Sequence, residues 1–181
     1  MFMERFPEIP VEDEGRLHDP GIRENFIETI FVLQRWRESM EVPSSGRLVD
    51  FHTRHKYTLM AHSQEKLRDL GRLVASIGTA DLKEITEEYS RLLLQTLKLK
   101  KTVKKEHNVL LHIMGYFKKL ITPEEKQELL ELLDQYYRQT VPLIVPVTML
   151  RHYARKYRVS YLEGQWYLNP YPMELKLQNH V

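Results

Sequence analysis

The chain has 181 residues, of which 42% are hydrophobic and 29% charged, and its formal net charge is +2. This length and composition predict one folded domain and exclude a disordered or fibrous chain. The absence of cysteine excludes disulfides, thiolate metal sites and a Cys-ligated iron–sulfur cluster. No apolar run approaches the ~20 residues that a bilayer requires, and the N-terminal sequence lacks a signal-peptide core, so we expect a cytoplasmic protein.

Helical periodicity and chain breaks predict an extended, acidic lead-in over residues 1–20 followed by helices. Helices are predicted to begin after Pro20, at about Arg47, after Ser63, at Asp81, at Thr102, at Pro123 and near Val147. Ser160 and Glu163 fit a capping box that would open a short eighth turn. The run Lys100–Lys105 could equally continue the fourth helix without a break at Thr102. No segment shows the period-2 alternation of a strand, so we expect an all-α domain of six to eight helices in one bundle-like body.

Apolar stripes predict which helix faces are buried. In the first helix, Ile22, Phe26, Ile30 and Leu33 recur at three- and four-residue spacing. In the fifth, the stripe is Val103, His107, Leu110, Met114, Phe117 and Ile121. The break Pro43-Ser-Ser-Gly46 separates an N-terminal extension, residues 1–43, from a helical domain, residues 44–181.

Charge is unevenly distributed, since residues 91–119 carry eight bases against the single acid Glu106. Five lysines fall within eight residues, dense enough to follow successive phosphates. We therefore predict a nucleic-acid surface formed by Lys98, Lys100, Lys101, Lys104, Lys105, Lys118, Lys119 and Arg155. Nearby aromatic residues could stack on unpaired bases, although their helical spacing is more typical of core positions. Ordinary pairing between helix surfaces of opposite charge is the alternative.

Eight histidines are the second unusual feature, and three of them, His52, His55 and His62, share one face of the second helix. No ligand set such as HExxH accompanies them, so we predict no metal site and no cofactor. Two hypotheses remain: the histidines are structural, or they contribute to a polar substrate or RNA pocket. The candidate pocket residues are His52, Arg54, His55, Lys56, His107, Asn108, Arg151 and His152. Most carboxylates are expected on solvated faces, and no activated nucleophile or phosphate loop is recognisable.

Four motifs together resemble the YbgA-like domain, a family of unknown function. They are HTRHKYTLMAHS (52–63), KKEHNVLLHIMGYFKK (104–119), VPLIVPVTMLRHY (141–153) and QWYLNP (165–170). The resemblance covers about residues 47–181. Members of this family occur alone or fused behind a TudS-type desulfidase domain, and residues 6–37 resemble the closing stretch of that catalytic domain.

The resemblance implies an RNA-binding accessory domain, with tRNA as the expected partner, associated with the removal of sulfur from thiouridine. The desulfidase cysteines have no counterpart here, so the resemblance places the iron–sulfur chemistry in another part of a fusion or in a separate desulfidase chain. The sequence leaves the oligomeric state open and does not establish that the chain is itself an enzyme. The alternatives are an uncharacterised enzyme with a His/Arg pocket and a protein-interaction module.

Overall fold

The computed structural model describes residues 9–175, which contain eight α-helices and no strand. The first eight residues of the lead-in and the last six of the tail lie outside this range. The helices are α1 Pro20–Ser39, α2 Ser45–His62, α3 Gln64–Ala75, α4 Leu82–Leu97, α5 Val103–Met114, α6 Pro123–Tyr137, α7 Ile144–Lys156 and α8 Ser160–Glu163. Short 3-10 turns occur at Arg16–His18, Gly115–Phe117, Trp166–Leu168 and Met173–Leu175. The predicted all-α fold is confirmed.

Side-chain caps explain where most helices begin. Ser63 accepts a hydrogen bond from the Lys66 amide, and Thr122 forms a complete capping box with Glu125. Thr102 accepts from the Lys105 amide, so the chain breaks after α4 and restarts at α5, which settles the alternative left open by the sequence.

Two predicted helix starts are wrong. Ser160 does not cap α8, because the N-cap residue is Val159 and it makes no side-chain bond. Helix α7 begins at Ile144, upstream of the predicted start near Val147, and therefore includes Pro146. A proline is tolerated there because the amides of the first helical turn have no intrahelical acceptor.

The core is organised around α2, in which nine of 18 residues are buried. Helix α2 contacts α1, α3, α4, α5 and the turn Trp166–Leu168. Buried side chains from α4 to α7, including Leu93, Leu110, Leu129 and Leu150, complete one continuous hydrophobic cluster. Within residues 9–175, no helix combines the length and apolar character needed to cross a membrane.

Helix α1 packs on this core through a face that shares Leu33 with the predicted stripe but is rotated away from it. Ile30, placed on the predicted apolar stripe, is 41% exposed. The buried residues are Glu24, Glu28, Val32, Leu33 and Trp36. The stripe prediction fails because it scores carboxylates as surface residues, whereas two glutamates of α1 face inward. Val32, Leu33 and Trp36 join the core cluster, so α1 is packed against the helical domain.

Candidate functional site: a basic connection beside a charged cleft

The lysine run occupies the connection between α4 and α5 and the first turn of α5, and the structure divides it into two groups. Lys98, Lys100 and Lys104 are exposed. Lys105 lies across the C-terminal end of α2, where its ammonium donates to the carbonyl oxygens of His62 and Lys100 at 2.7 and 2.8 Å. A cation at this position complements the helix dipole and satisfies a terminal carbonyl.

Lys101 points into the protein, and its side chain is only 12% exposed. Its Nζ donates to Glu28 Oε2 at 2.8 Å and lies 3.6 Å from Glu106 Oε1 and 3.9 Å from Glu24 Oε1. Lys101, which was predicted to lie on the nucleic-acid surface, therefore faces the interior. The expectation of solvated carboxylates is likewise wrong for these three glutamates, which are all buried.

Two tyrosine hydroxyls and one imidazole also contact the three carboxylates. The Tyr167 hydroxyl donates to Glu106 Oε2 at 2.6 Å, and the Tyr171 hydroxyl donates to Glu24 Oε1 at 3.2 Å. His62 Nε2 lies 3.3 Å from Glu28 Oε1, and its Nδ1 lies 2.7 Å from the carbonyl oxygen of Leu99. Both partners of His62 are acceptors, so both bonds form together only in the imidazolium. The network joins α1, α2, the α4–α5 connection, α5 and the C-terminal segment.

The pKa values of Glu24 and Glu28 are shifted in opposite directions. Burial raises the pKa of Glu24 to about 7; Lys101 opposes the shift, and the nearby Glu28 and Glu106 add to it. Burial would also raise the pKa of Glu28, but Lys101 and His62 outweigh it and lower the value to about 2. Burial disfavours the Lys101 ammonium, yet Glu28, Glu106 and Glu24 together raise its pKa above the ordinary value. Lys101 and Glu28 are thus held as an ion pair, and Glu24 is the group that titrates near neutrality.

Three members of this network, Glu24, Lys101 and Glu106, line a cleft of about 640 Å³. The walls come from the turn Arg16–His18, the start of α1, the α4–α5 connection and the residues that link α6 to α7. Lys98, Lys100 and Lys101 line the cleft together with Glu24 and Glu106. Buried titratable groups with shifted pKa values in the lining of a cleft are typical of functional sites.

The other residues of the predicted nucleic-acid surface lie elsewhere. Lys118 and Lys119 are exposed after the turn that follows α5, so most of the length of that helix separates them from Lys104. Arg155 is exposed on α7. Its neighbour Lys156 donates to Glu125 Oε1 at 2.6 Å, so it is engaged in an ion pair with α6.

The candidate pocket residues have separate partners. His52 Nδ1 lies 3.0 Å from the Tyr89 hydroxyl, and burial lowers the pKa of His52. The His107 ring lies 4.8 Å from that of Tyr137 between ring centroids. The remaining candidate pocket residues also lie in separate surroundings. On α7, Arg151 donates to Asn169 Oδ1 at 3.0 Å and His152 is exposed. Asn108 on α5 is half-buried, and Lys56 on α2 lies over the Tyr57 ring.

Arg54 and His55 are the two candidate pocket residues that share a neighbour, Trp166. The Arg54 guanidinium carbon lies 4.7 Å and that of Arg35 lies 3.8 Å from the centre of the indole ring. His55 is buried beside them, with its Nδ1 2.8 Å from the Phe51 carbonyl oxygen, and burial lowers the pKa of His55 to about 3. Arg54 also donates to the Gly164 carbonyl, and Arg35 donates to that of Pro170. These contacts hold the segment 164–170 against α1 and α2.

Glu24, Glu28 and Arg35 are not among the residues predicted from the sequence, and His62 is not among the candidate pocket residues. Two signals were present: Glu106 is the one acid in a strongly basic stretch, and His62 lies on the same helix face as His52 and His55. Nothing local distinguishes Glu24 and Glu28 from surface glutamates, because their burial depends on a lysine more than 70 residues away.

Comparison with known proteins defines the class of this chain. The sequence model of a family described as "Protein of unknown function (DUF1722)" matches residues 56–172. The chain therefore belongs to the DUF1722 family. It is also similar to the uncharacterized protein YbgA of Escherichia coli strain K12, with 34% identity over 135 residues that cover 74% of this chain and 80% of that protein. The predicted YbgA-like resemblance is confirmed. No solved structure gives a significant match.

Proposed function

We propose that this chain binds RNA, with tRNA as the first candidate, through the exposed ammonium groups of Lys98, Lys100 and Lys104. The observation that carries the proposal is the division of the lysine run. Lys101 and Lys105 are hydrogen-bonded to other parts of the protein, whereas these three lysines are exposed and form no ion pair within residues 9–175. Unpaired cations held on one short connection are suited to neutralising adjacent phosphates.

The surroundings of these lysines support the same function. The internal bonds of Lys101 and Lys105 fix the backbone of the connection, so the three exposed side chains project from an ordered base. Lys118 and Lys119, exposed beyond the C-terminal end of α5, add two more basic groups that a folded RNA could reach. Contacts of this kind give affinity without base specificity.

The association with thiouridine desulfidation is supported by sequence resemblance. Residues 6–37 resemble the end of a desulfidase domain, and the chain contains no cysteine for the catalytic cluster. We therefore propose an accessory role in the cytoplasm: this chain holds the RNA, and the desulfidase chemistry is supplied by other residues of a longer protein or by a second polypeptide.

Gel-shift titration of tRNA tests the proposal. Replacing Lys98, Lys100 and Lys104 with Gln should weaken binding at least ~10-fold, because three phosphate contacts are lost. A matched variant, Arg37→Gln with Lys83→Gln and Lys126→Gln, removes the same charge from three exposed positions on α1, α4 and α6 and should bind nearly as the unsubstituted chain. Equal losses in the two variants would show that net charge alone attracts the RNA, which contradicts a defined surface.

A further inference from the structure

We propose that the exposed ring of Tyr116, just beyond the C-terminal end of α5, stacks on an unpaired base of RNA. This inference rests on the proposed RNA function and deepens it, because it adds a contact of a different chemical kind. Lysines neutralise the phosphates of any RNA, whereas an aromatic ring contacts a base that is free of its pairing partner. The partner is therefore an RNA with single-stranded or loop bases.

Tyr116 differs from most aromatic residues of the chain in its exposure. Within residues 9–175, two aromatic side chains are more than a third exposed: Tyr116 at 40% and Tyr137 at 48%. Trp166, which also has basic neighbours, is half-buried, and the guanidinium groups of Arg35 and Arg54 lie over its ring. Tyr116 and Tyr137 are therefore the most accessible rings for a base.

Two other tyrosines hold the ring of Tyr116 in place. It stacks on Tyr161 of α8, with the ring centroids 5.4 Å apart and 13° between the ring planes. Tyr57 of α2 is its buried neighbour: burial raises the pKa of the Tyr57 hydroxyl, and Tyr116 adds to that shift. A ring that is already ordered loses little conformational entropy when a base stacks on it. Tyr116 is therefore similar to the aromatic platforms of proteins that bind single strands.

The surface around Tyr116 is basic. The two segments that form it, residues 107–121 and 144–162, contain six Lys or Arg residues and no acid. The acids that adjoin them are Glu106, which is buried, and Glu163, at the end of α8. Four of the six bases are exposed and form no ion pair in the described part of the chain: Lys118, Lys119, Arg155 and Arg158. This surface can attract the phosphates on either side of a stacked base.

Tyr137 provides the contrasting case. It is the last residue of α6, a helix with five acids and one lysine. Its ring centroid lies 4.8 Å from that of His107, and Asp134, one turn earlier, forms an ion pair with Arg138. An acidic helix repels a phosphate backbone. Tyr137 thus has about the exposure of Tyr116 in electrostatic surroundings of the opposite sign, which makes it a matched control.

Stacking contributes to affinity in a way that can be separated from the contribution of the lysines. A tyrosine ring is uncharged at neutral pH and neutralises no phosphate. Loss of the Tyr116 ring should therefore lower the affinity for RNA and leave the slope of log affinity against log salt concentration unchanged. Loss of Lys98, Lys100 and Lys104 should lower both the affinity and the slope.

Fluorescence anisotropy tests the stack with a single-stranded RNA of about twelve nucleotides and with the duplex formed from it and its complement. Tyr116→Leu should weaken binding of the single strand at least ~5-fold and leave binding of the duplex unchanged. Tyr116→Phe keeps the ring and should bind both RNAs as the unsubstituted chain does. Tyr137→Leu, the matched control, should also leave both affinities unchanged.

Photo-crosslinking locates the contact without relying on a variant. A single strand with 5-iodouridine at its centre, irradiated on the unsubstituted chain, should crosslink to Tyr116, and mass spectrometry identifies the residue. The inference is overturned if Tyr116→Leu and Tyr137→Leu bind the single strand equally well, if Tyr116→Leu weakens the duplex as much as the single strand, or if the crosslink lies elsewhere. In these three results RNA still binds, so the proposed RNA function stands. An unsubstituted chain that binds neither these RNAs nor tRNA contradicts that function together with this inference.

Discussion

Lys101 Nζ hydrogen-bonds Glu28 Oε2 at 2.8 Å and thereby joins two points of the chain that are 73 residues apart. The pair connects the middle of α1 to the α4–α5 connection. One side of this connection faces the interior through Lys101, and the other presents Lys98, Lys100 and Lys104 to solvent. The internal ion pair therefore sets the position of the proposed RNA surface.

Loss of the Lys101 ammonium should destabilise the fold. Lys101→Met leaves Glu28 buried with His62 as its remaining partner, and breaking a buried pair in this way costs about 3–5 kcal/mol. Urea denaturation followed by circular dichroism measures the change. Lys104→Gln is the control in the same run and should alter the free energy of unfolding by less than about 0.5 kcal/mol. Similar values for the two variants would contradict the buried placement of Lys101.

Glu24 should make stability fall with rising pH. Its pKa is raised from 4.5 to about 7 in the folded protein, so between these values the folded state binds more protons than the unfolded state. Unfolding free energy attributable to Glu24 therefore decreases as pH rises from about 5 to about 8. We compare the free energy of unfolding of Glu24→Gln with that of the unsubstituted chain at each pH. This difference should shift in favour of Glu24→Gln by about 2–3 kcal/mol between pH 5 and pH 8. A difference independent of pH, in urea titrations at both values, would refute the shift.

Removal of α1 should unfold the helical domain. A truncation that starts at Ser44 loses Val32, Leu33 and Trp36 from the core and leaves Lys101 and His62 without Glu28. Each buried apolar side chain contributes about 1.5–3 kcal/mol, which together approaches the total stability of a small domain. Size-exclusion chromatography and circular dichroism of the truncated chain provide the measurement. A soluble, monomeric and equally stable truncation would mean that α1 is dispensable to the fold.

The sequence predicted the helices well because their starts are specified locally. Ser63, Asp81, Thr102 and Thr122 each cap a helix, and each signal needs only the next three residues. The buried face of α1 was not predictable in this way. Its glutamates are inward because a lysine of the α4–α5 connection meets them, and a periodicity analysis assigns charged residues to the surface.

The lysine run also shows that burial set by tertiary contacts is not predictable from local sequence. Lys100 and Lys101 are adjacent and chemically identical, yet one is exposed and the other is buried among three carboxylates. Their density distinguishes this segment from the rest of the chain. Which lysines are buried and which are exposed depends on tertiary packing against α1 and α2. The composition of the segment carries no information about that packing.

The salt dependence of tRNA binding tests the central claim most directly. Each phosphate neutralised contributes roughly 0.7–0.9 to the slope of log affinity against log salt concentration. Replacing Lys98, Lys100 and Lys104 with Gln should flatten that slope by about 2–3 units and leave the helical circular dichroism unchanged. The matched variant with Arg37→Gln, Lys83→Gln and Lys126→Gln should keep the original slope. Equal slopes for the unsubstituted chain and the Lys98, Lys100 and Lys104 variant would contradict an RNA surface on the α4–α5 connection.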